Sequence, residues 1–72
     1  MDEKKLLPVE EIARRLKTLR GETPVSELSE ATGIGVSAIN NYEAGLRIPR
    51  DEAKAKLASY FKQTVDAIFF TS

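Results

Sequence analysis

Cysteine and histidine are both absent from the 72-residue chain. Zinc sites built on those ligands, disulfide frameworks, thiol nucleophiles and imidazole acid–base chemistry are excluded at once. Net charge is missing too: 11 Lys and Arg balance 11 Asp and Glu. Domains that bind nucleic acid usually carry a basic surplus, often with a pI above about 9. Here the pI is about 6.2, so composition alone argues against a polyanionic partner. No apolar run approaches the roughly 20 residues that a membrane span requires. The opening Met1-Asp2-Glu3-Lys4-Lys5-Leu6-Leu7-Pro8 has no apolar core of signal-peptide length. The expectation is a cytoplasmic protein, and a small domain without disulfides fits that reducing compartment. Internal repeats, low-complexity tracts and the alternation of a β-strand are also lacking.

What is present suits one small folded domain. With 42% hydrophobic and 31% charged residues, the chain has the balance of a globular protein and not of a disordered one. A chain of this length buries only about 60% of its unfolded surface, so its core must be compact. Helical spacing dominates. Val9, Ile12, Leu16 and Leu19 form one stripe of a helix over 9–20. Pro8 suits its start, and Gly21 is expected to end it in the left-handed conformation. Glu10 and Glu11 in its first turn, and Lys17 and Arg20 in its last, complement the helix dipole. A second helix is predicted from Thr23 as N-cap and Pro24 as first helical residue, with Ser26 or Glu27 completing the cap, to Gly33. A third follows Gly35 and stops near Gly45. Its Ile39 and Tyr42 read as core, while Ser37, Asn40, Asn41 and Ala44 lie on the opposite face. Two short helices joined by Gly33-Ile34-Gly35 have the spacing of a helix-turn-helix unit. A fourth helix, capped by Asp51, turns Ala53, Leu57 and Phe61 inward. Thr64 caps a last short helix over 65–70, where Val65, Ile68 and Phe69 close the core. The domain reading is a tail over 1–8 and a single domain over 9–70.

At this point the residues carry a resemblance. The run from Val25 through Gly45 resembles the lambda-repressor-like (Cro/CI, or xenobiotic-response-element) helix-turn-helix family. Leu28 matches the family's core leucine, Ser29 the small residue where the helices touch, and Gly33 the turn glycine. Ile34 and Ile39 match the apolar pair beyond the turn. Tyr42-Glu43, Gly45 and Pro49 fall in register, and Leu57-Ala58, Phe61, Val65-Asp66 and Ile68-Phe69 resemble the closing pattern. The resemblance spans about 9–70 and implies an all-α, compact five-helix lambda-repressor-like DNA-binding domain with the helix-turn-helix at helices 2 and 3. It further implies that Glu43 pairs with Arg20 as a structural ion pair. Departures fall at the contact positions. Pro24 and Val25 stand where the family usually has Ser-Gln, Gly35 and Val36 where it has Ser and then Arg or Gln, and Ala44 where Asn or Arg is frequent.

The function implied is a sequence-specific regulator of the repressor type, binding double-stranded operator DNA with its third helix in the major groove. Val36, Ser37, Asn40 and Asn41 then form the DNA-contacting surface, with Arg47 and Arg50 toward phosphates. An Asn side chain can pair with the N6 and N7 edge of adenine, and an apolar one can meet a thymine methyl. A homodimer is expected on a two-fold site, because one short helix reads few base pairs. Phe69 and Phe70 are adjacent and cannot both point into the same core: either one is exposed as a homodimer contact of the C-terminal helix, or that helix buries one ring and lays the other over the rim. The alternative is an antirepressor or modulator of the same fold that binds a repressor protein, or an antitoxin subunit. An enzyme is not expected, nor any metal or cofactor. The neutral total hides a pattern that bears on this choice. Residues 21–45 hold no Lys or Arg and carry Glu22, Glu27, Glu30 and Glu43, whereas 1–20 and 46–72 each carry +2.

Overall fold

The computed structural model of the protein describes residues 4–71. Five helices follow one another: α1 (Val9–Arg20), α2 (Val25–Thr32), α3 (Val36–Glu43), α4 (Asp51–Phe61) and α5 (Val65–Phe69). The fold is all-α, as the helical spacing implied. Ile12 and Leu16 of α1, Leu28 of α2, Ile39 and Tyr42 of α3, Leu57 and Ala58 of α4, and Ile68 and Phe69 of α5 meet in one core. Each helix is too short to be stable alone, so this shared burial is what holds it helical.

Helix boundaries show where local chemistry departs from expectation. Helix α2 begins at Val25, and its N-cap is Pro24 in extended conformation, with no side-chain cap. The first helical bonds go to the Pro24 carbonyl, which accepts the Leu28 N–H at 3.2 Å, so Thr23 is one residue too early to be the cap. The Thr23 N–H donates to the Arg20 carbonyl at 3.0 Å and its own carbonyl accepts from Arg20 Nη1 at 2.7 Å. Gly21 (φ 57°, ψ −123°) is therefore the first central residue of a type II′ turn over 20–23, not a left-handed helical cap. Only glycine occupies that backbone region readily. Asp51 is likewise the first residue of α4 and not its cap. Arg50 is the N-cap, and its carbonyl takes the Lys54 N–H at 2.8 Å. Thr64 caps α5 through Oγ1, which accepts the Ala67 N–H at 3.0 Å.

The inward stripe of α4 is Lys54, Leu57 and Ala58, with Ala53 and Phe61 only half-buried. A strict four-residue spacing drifts off a 3.6-residue helix, so Ala53, Leu57 and Phe61 cannot all face one line. Helix α4 ends on Lys62 in the left-handed conformation (φ 57°, ψ 42°), with the Gln63 N–H reaching the Ala58 carbonyl at 2.9 Å. A non-glycine residue accepts that conformation here because the Schellman pairing satisfies the carbonyls at the helix end.

Residues ahead of α1 do not trail away as a tail from position 4 onward; residues 1–3 lie outside the described range. Leu7 is buried in the core. Leu6 and Phe70 form an antiparallel bridge, the Leu7 N–H donates to the Phe69 carbonyl and the Thr71 N–H to the Lys5 carbonyl, both at 2.8 Å. Lys4 also pairs with Asp66 of α5. The chain ends are thereby fastened side by side. This pairing also settles the two phenylalanines. Phe69 is wholly buried, so it offers no surface for a dimer, and Phe70 turns into extended backbone and is half-buried against the core.

Candidate nucleic-acid interface

Helix α3 is held from both ends and from beneath. Beneath it, Ile39 and Tyr42 are buried. At its start, the Thr32 hydroxyl donates to the Leu28 carbonyl at 2.7 Å and accepts the Ile34 N–H at 3.2 Å, which joins the last turn of α2 to the link before α3. Nothing in the helical periodicity marks Thr32 for this task. At the far end, the Leu46 N–H reaches back to the Asn41 carbonyl at 2.9 Å, with Gly45 in left-handed geometry (φ 76°) between them. That reversal needs a positive φ, which glycine supplies without a Cβ clash.

An ion pair fixes the end of α3 to α1. Arg20 Nε donates to Glu43 Oε2 at 2.7 Å, and Nη2 donates to Oε1 at 2.8 Å. The fork is bidentate, the geometry in which Arg recognises a carboxylate best. The side chains are only 17% and 8% exposed. Donating to the Glu43 carboxylate raises the Arg20 pKa above its ordinary value. Because the same guanidinium binds the Thr23 carbonyl, one side chain joins α1, the turn before α2 and the end of α3.

The outward face of α3 carries the residues singled out above. Val36, Ser37 and Asn40 are exposed and Asn41 is half-buried. Beyond Gly45, the segment from Leu46 to Arg50 bows outward between two anchors: the Leu46 N–H on α3, and Pro49, which is fully buried. Arg47 and Arg50 stand exposed on this arc. Among the described residues, the side chains of Ser37, Asn40, Asn41, Arg47 and Arg50 make no intramolecular hydrogen bond or ion pair. Their donors and acceptors face solvent. The first-helix cations differ. Arg14 and Arg15 both bind Glu11, and Arg15 also donates to the Ala67 carbonyl at 2.7 Å. Those contacts hold the Glu11 carboxyl at about 2, with the Arg14 hydrogen bond the larger cause. Lys17 lies beside Arg14, Glu43 and Gly45 along a shallow groove between α1 and the end of α3.

Apolar exposure was not foreseen on the arc. Leu46 is 73% exposed and Ile48 40%, flanking Arg47. The detectable signal was that both lie in the segment between Gly45 and Pro49, where no helical stripe can continue.

Comparison with known proteins now bears on this surface. No curated protein and no solved structure matches the chain. No helix among the described residues is long and apolar enough to cross a membrane. A family model described as helix-turn-helix matches residues 12–68, from the buried stripe of α1 to the last core residue but one. That match takes in both anchors of α3, its outward face and the arginine arc, and it covers most of the chain. The protein belongs to the lambda-repressor-like helix-turn-helix family of DNA-binding regulators.

Proposed function

We propose that the protein is a sequence-specific, double-stranded DNA-binding transcription regulator of the repressor type that lays α3 in the major groove. Ser37, Asn40 and Asn41 face base edges, with Asn positioned for the N6 and N7 of adenine. Arg47 and Arg50 neutralise phosphates beside the groove and set the register. The observation that carries this reading is the anchored helix itself. Its buried side is fixed by Ile39, Tyr42 and the Arg20–Glu43 fork, while its polar side and the adjoining arginines have no partner within the described residues. Rigid placement of unengaged polar groups suits recognition of a rigid duplex. The protein acts as a homodimer on a two-fold site, since one eight-residue helix reads too few base pairs for useful discrimination.

Fluorescence anisotropy against duplex DNA at increasing salt tests this reading. Two arginines per copy on a dimer neutralise four phosphates, giving a slope of log affinity against log salt of roughly −3.6. Arg47→Ala and Arg50→Ala each make the slope shallower. Affinity that does not fall as salt rises refutes the reading, because phosphate neutralisation necessarily releases counterions. A second reading, a module that docks on a repressor protein, is favoured by one specific observation. The exposed Val36, Leu46 and Ile48 border an acidic helix-turn-helix, and apolar, weakly charged surface suits the centre of a protein interface. No retardation of any duplex at low salt, with capture of a purified repressor, decides for it.

A further inference from the structure

Four of the five helices open on valine: Val9, Val25, Val36 and Val65. Val25 and Val65 pack against the core, and Val9 is half-buried. Val36 is 43% exposed and has no place in the core. Valine is a poor choice for an exposed helix start on propensity alone, since its branched side chain loses rotamer freedom. The space before it is open: Gly35 has no side chain, and a Cβ there would meet nothing within 4 Å. Packing therefore does not account for Val36.

We infer that Val36 is a specificity residue that rests on a thymine 5-methyl group, and that the half-site read by α3 consists of A·T pairs. This deepens the DNA reading above and depends on it. Residues at the N-terminal end of a recognition helix are the ones brought to base edges. The first turn of α3 offers Val36, Ser37 and Ala38 there, with no charged group. Guanine is read chiefly by bidentate Arg or Lys, and residues 21–45 contain neither. The Asn pair suits adenine, and valine suits the one apolar group in the major groove, the thymine methyl. Selection also has a repulsive side. A G·C pair in either orientation facing Val36 leaves a base acceptor or amine desolvated and unpaired, whereas a T·A pair presents the methyl.

The test uses the intact protein. Duplexes are selected from a randomised library, and each thymine of the selected site is then replaced singly by uracil, which removes only the methyl. Affinity is read by anisotropy for the wild type and for Val36→Ala, an exposed change whose folding is checked by circular dichroism. The expected result is one thymine per half-site at which uracil weakens the wild type roughly fourfold, the worth of one buried methyl, with no such loss in Val36→Ala. A selected site whose thymines are all insensitive to uracil overturns the inference while leaving the DNA reading intact, as does equal sensitivity in Val36→Ala. If no duplex is selected at low salt, the DNA reading falls and this inference with it.

Discussion

Substituting Glu43→Ala removes the carboxylate that ties α3 to α1, and the loss follows from the geometry. Two charge-assisted hydrogen bonds of 2.7 and 2.8 Å disappear, each worth about 1.5–3 kcal/mol net when one partner is ionised. Arg20 remains, 17% exposed, and keeps its bond to the Thr23 carbonyl. The stranded guanidinium therefore regains some water but loses most of its compensation. Those facts place the effect near the lower end of the range for breaking a sequestered pair, about 3 kcal/mol. A domain of this length has a total stability of roughly 4–11 kcal/mol, so the substitution removes a large share of it. At 4–8 °C per kcal/mol for a domain of this size, the midpoint falls by roughly 12–24 °C.

The assay is urea denaturation followed by far-UV circular dichroism, on wild type, Glu43→Ala, Arg20→Met, Glu43→Met and the double Met variant. Replacing both partners by apolar groups of similar volume leaves no orphaned charge, and such replacements are often close to neutral, so the double variant should lie within about 1 kcal/mol of wild type. Arg20→Lys separates fork from point charge, because an ammonium cannot span both carboxylate oxygens and the Thr23 carbonyl in that planar arrangement. A loss below about 0.5 kcal/mol in Glu43→Ala, the value of a surface pair, refutes the reasoning. So does a double variant whose loss equals that of the two single ones combined, since coupled partners are non-additive.

Two further predictions follow from ion pairs of contrasting kinds. The Glu11 carboxyl is held at about 2, against an ordinary 4.5, by Arg14 and then Arg15. The unfolded chain therefore binds the proton more readily, and this contribution to stability is complete above pH 4.5 and is lost as pH falls toward 2. Melting temperature measured across that window should decline more steeply in wild type than in Glu11→Gln, and parallel declines would show the pairing to be energetically idle. Lys54 is buried through its stem, with its ammonium 5.4 Å from the centre of the Phe70 ring, whereas its other partner, Asp51, is fully exposed at 3.6 Å. Lys54→Ala should lose about 2 kcal/mol of buried methylene. Lys54→Met, which keeps the stem, should lose only the ammonium–ring contact, about 0.5–1 kcal/mol. Equal losses in urea melts would place the energy in the charge instead.

Legibility in the sequence tracked the range of the interaction. Ile12, Leu16, Leu28, Ile39, Tyr42 and Leu57 announce the core by helical spacing alone, because burial of a stripe is a local pattern. The helix starts were less readable. Thr23 and Asp51 have the chemistry of caps, but a cap is decided by which carbonyl receives the first helical bond. At α2 the Pro24 carbonyl receives it while the Thr23 carbonyl goes to the Arg20 guanidinium, and at α4 the Arg50 carbonyl is placed first. Lys54 was unreadable for a related reason. Charge marks a lysine as exposed, and only the return of the chain end over α4 brings Phe70 beneath its ammonium. The pairing of Leu6 with Phe70 joins residues 64 apart, with no periodicity on either side to advertise it. At the candidate interface, rotation placed Ser37, Asn40 and Asn41 on one side of α3. The outward bow of Leu46 to Ile48 required knowing that Pro49 is buried and the Leu46 N–H is spent on Asn41.

The zero net charge takes its meaning from where the charges sit. Glu43 is neutralised by Arg20, so the acidic residues that still present a field around the helix-turn-helix are Glu22, Glu27 and Glu30, all exposed. Arg14 and Arg15 share the single Glu11 carboxylate, which offsets one of their two charges, and Lys4 pairs with Asp66. Among the described residues, the cations left without an ion pair near α3 are Lys17, in the groove beside its end, and Arg47 and Arg50, on a short arc held at both ends. Long-range attraction to a phosphate backbone is therefore weak, because the three exposed carboxylates of the helix-turn-helix offset Lys17, Arg47 and Arg50 in number. Non-specific affinity, which rests almost wholly on that attraction, falls further than specific affinity does. A weakly attracted reader depends on short-range contacts, and those on offer at α3 are uncharged: two asparagines, a serine and a valine. On the DNA reading, the same charge balance that argues against nucleic acid in bulk composition limits adhesion to the wrong sequences and leaves discrimination to the helix face.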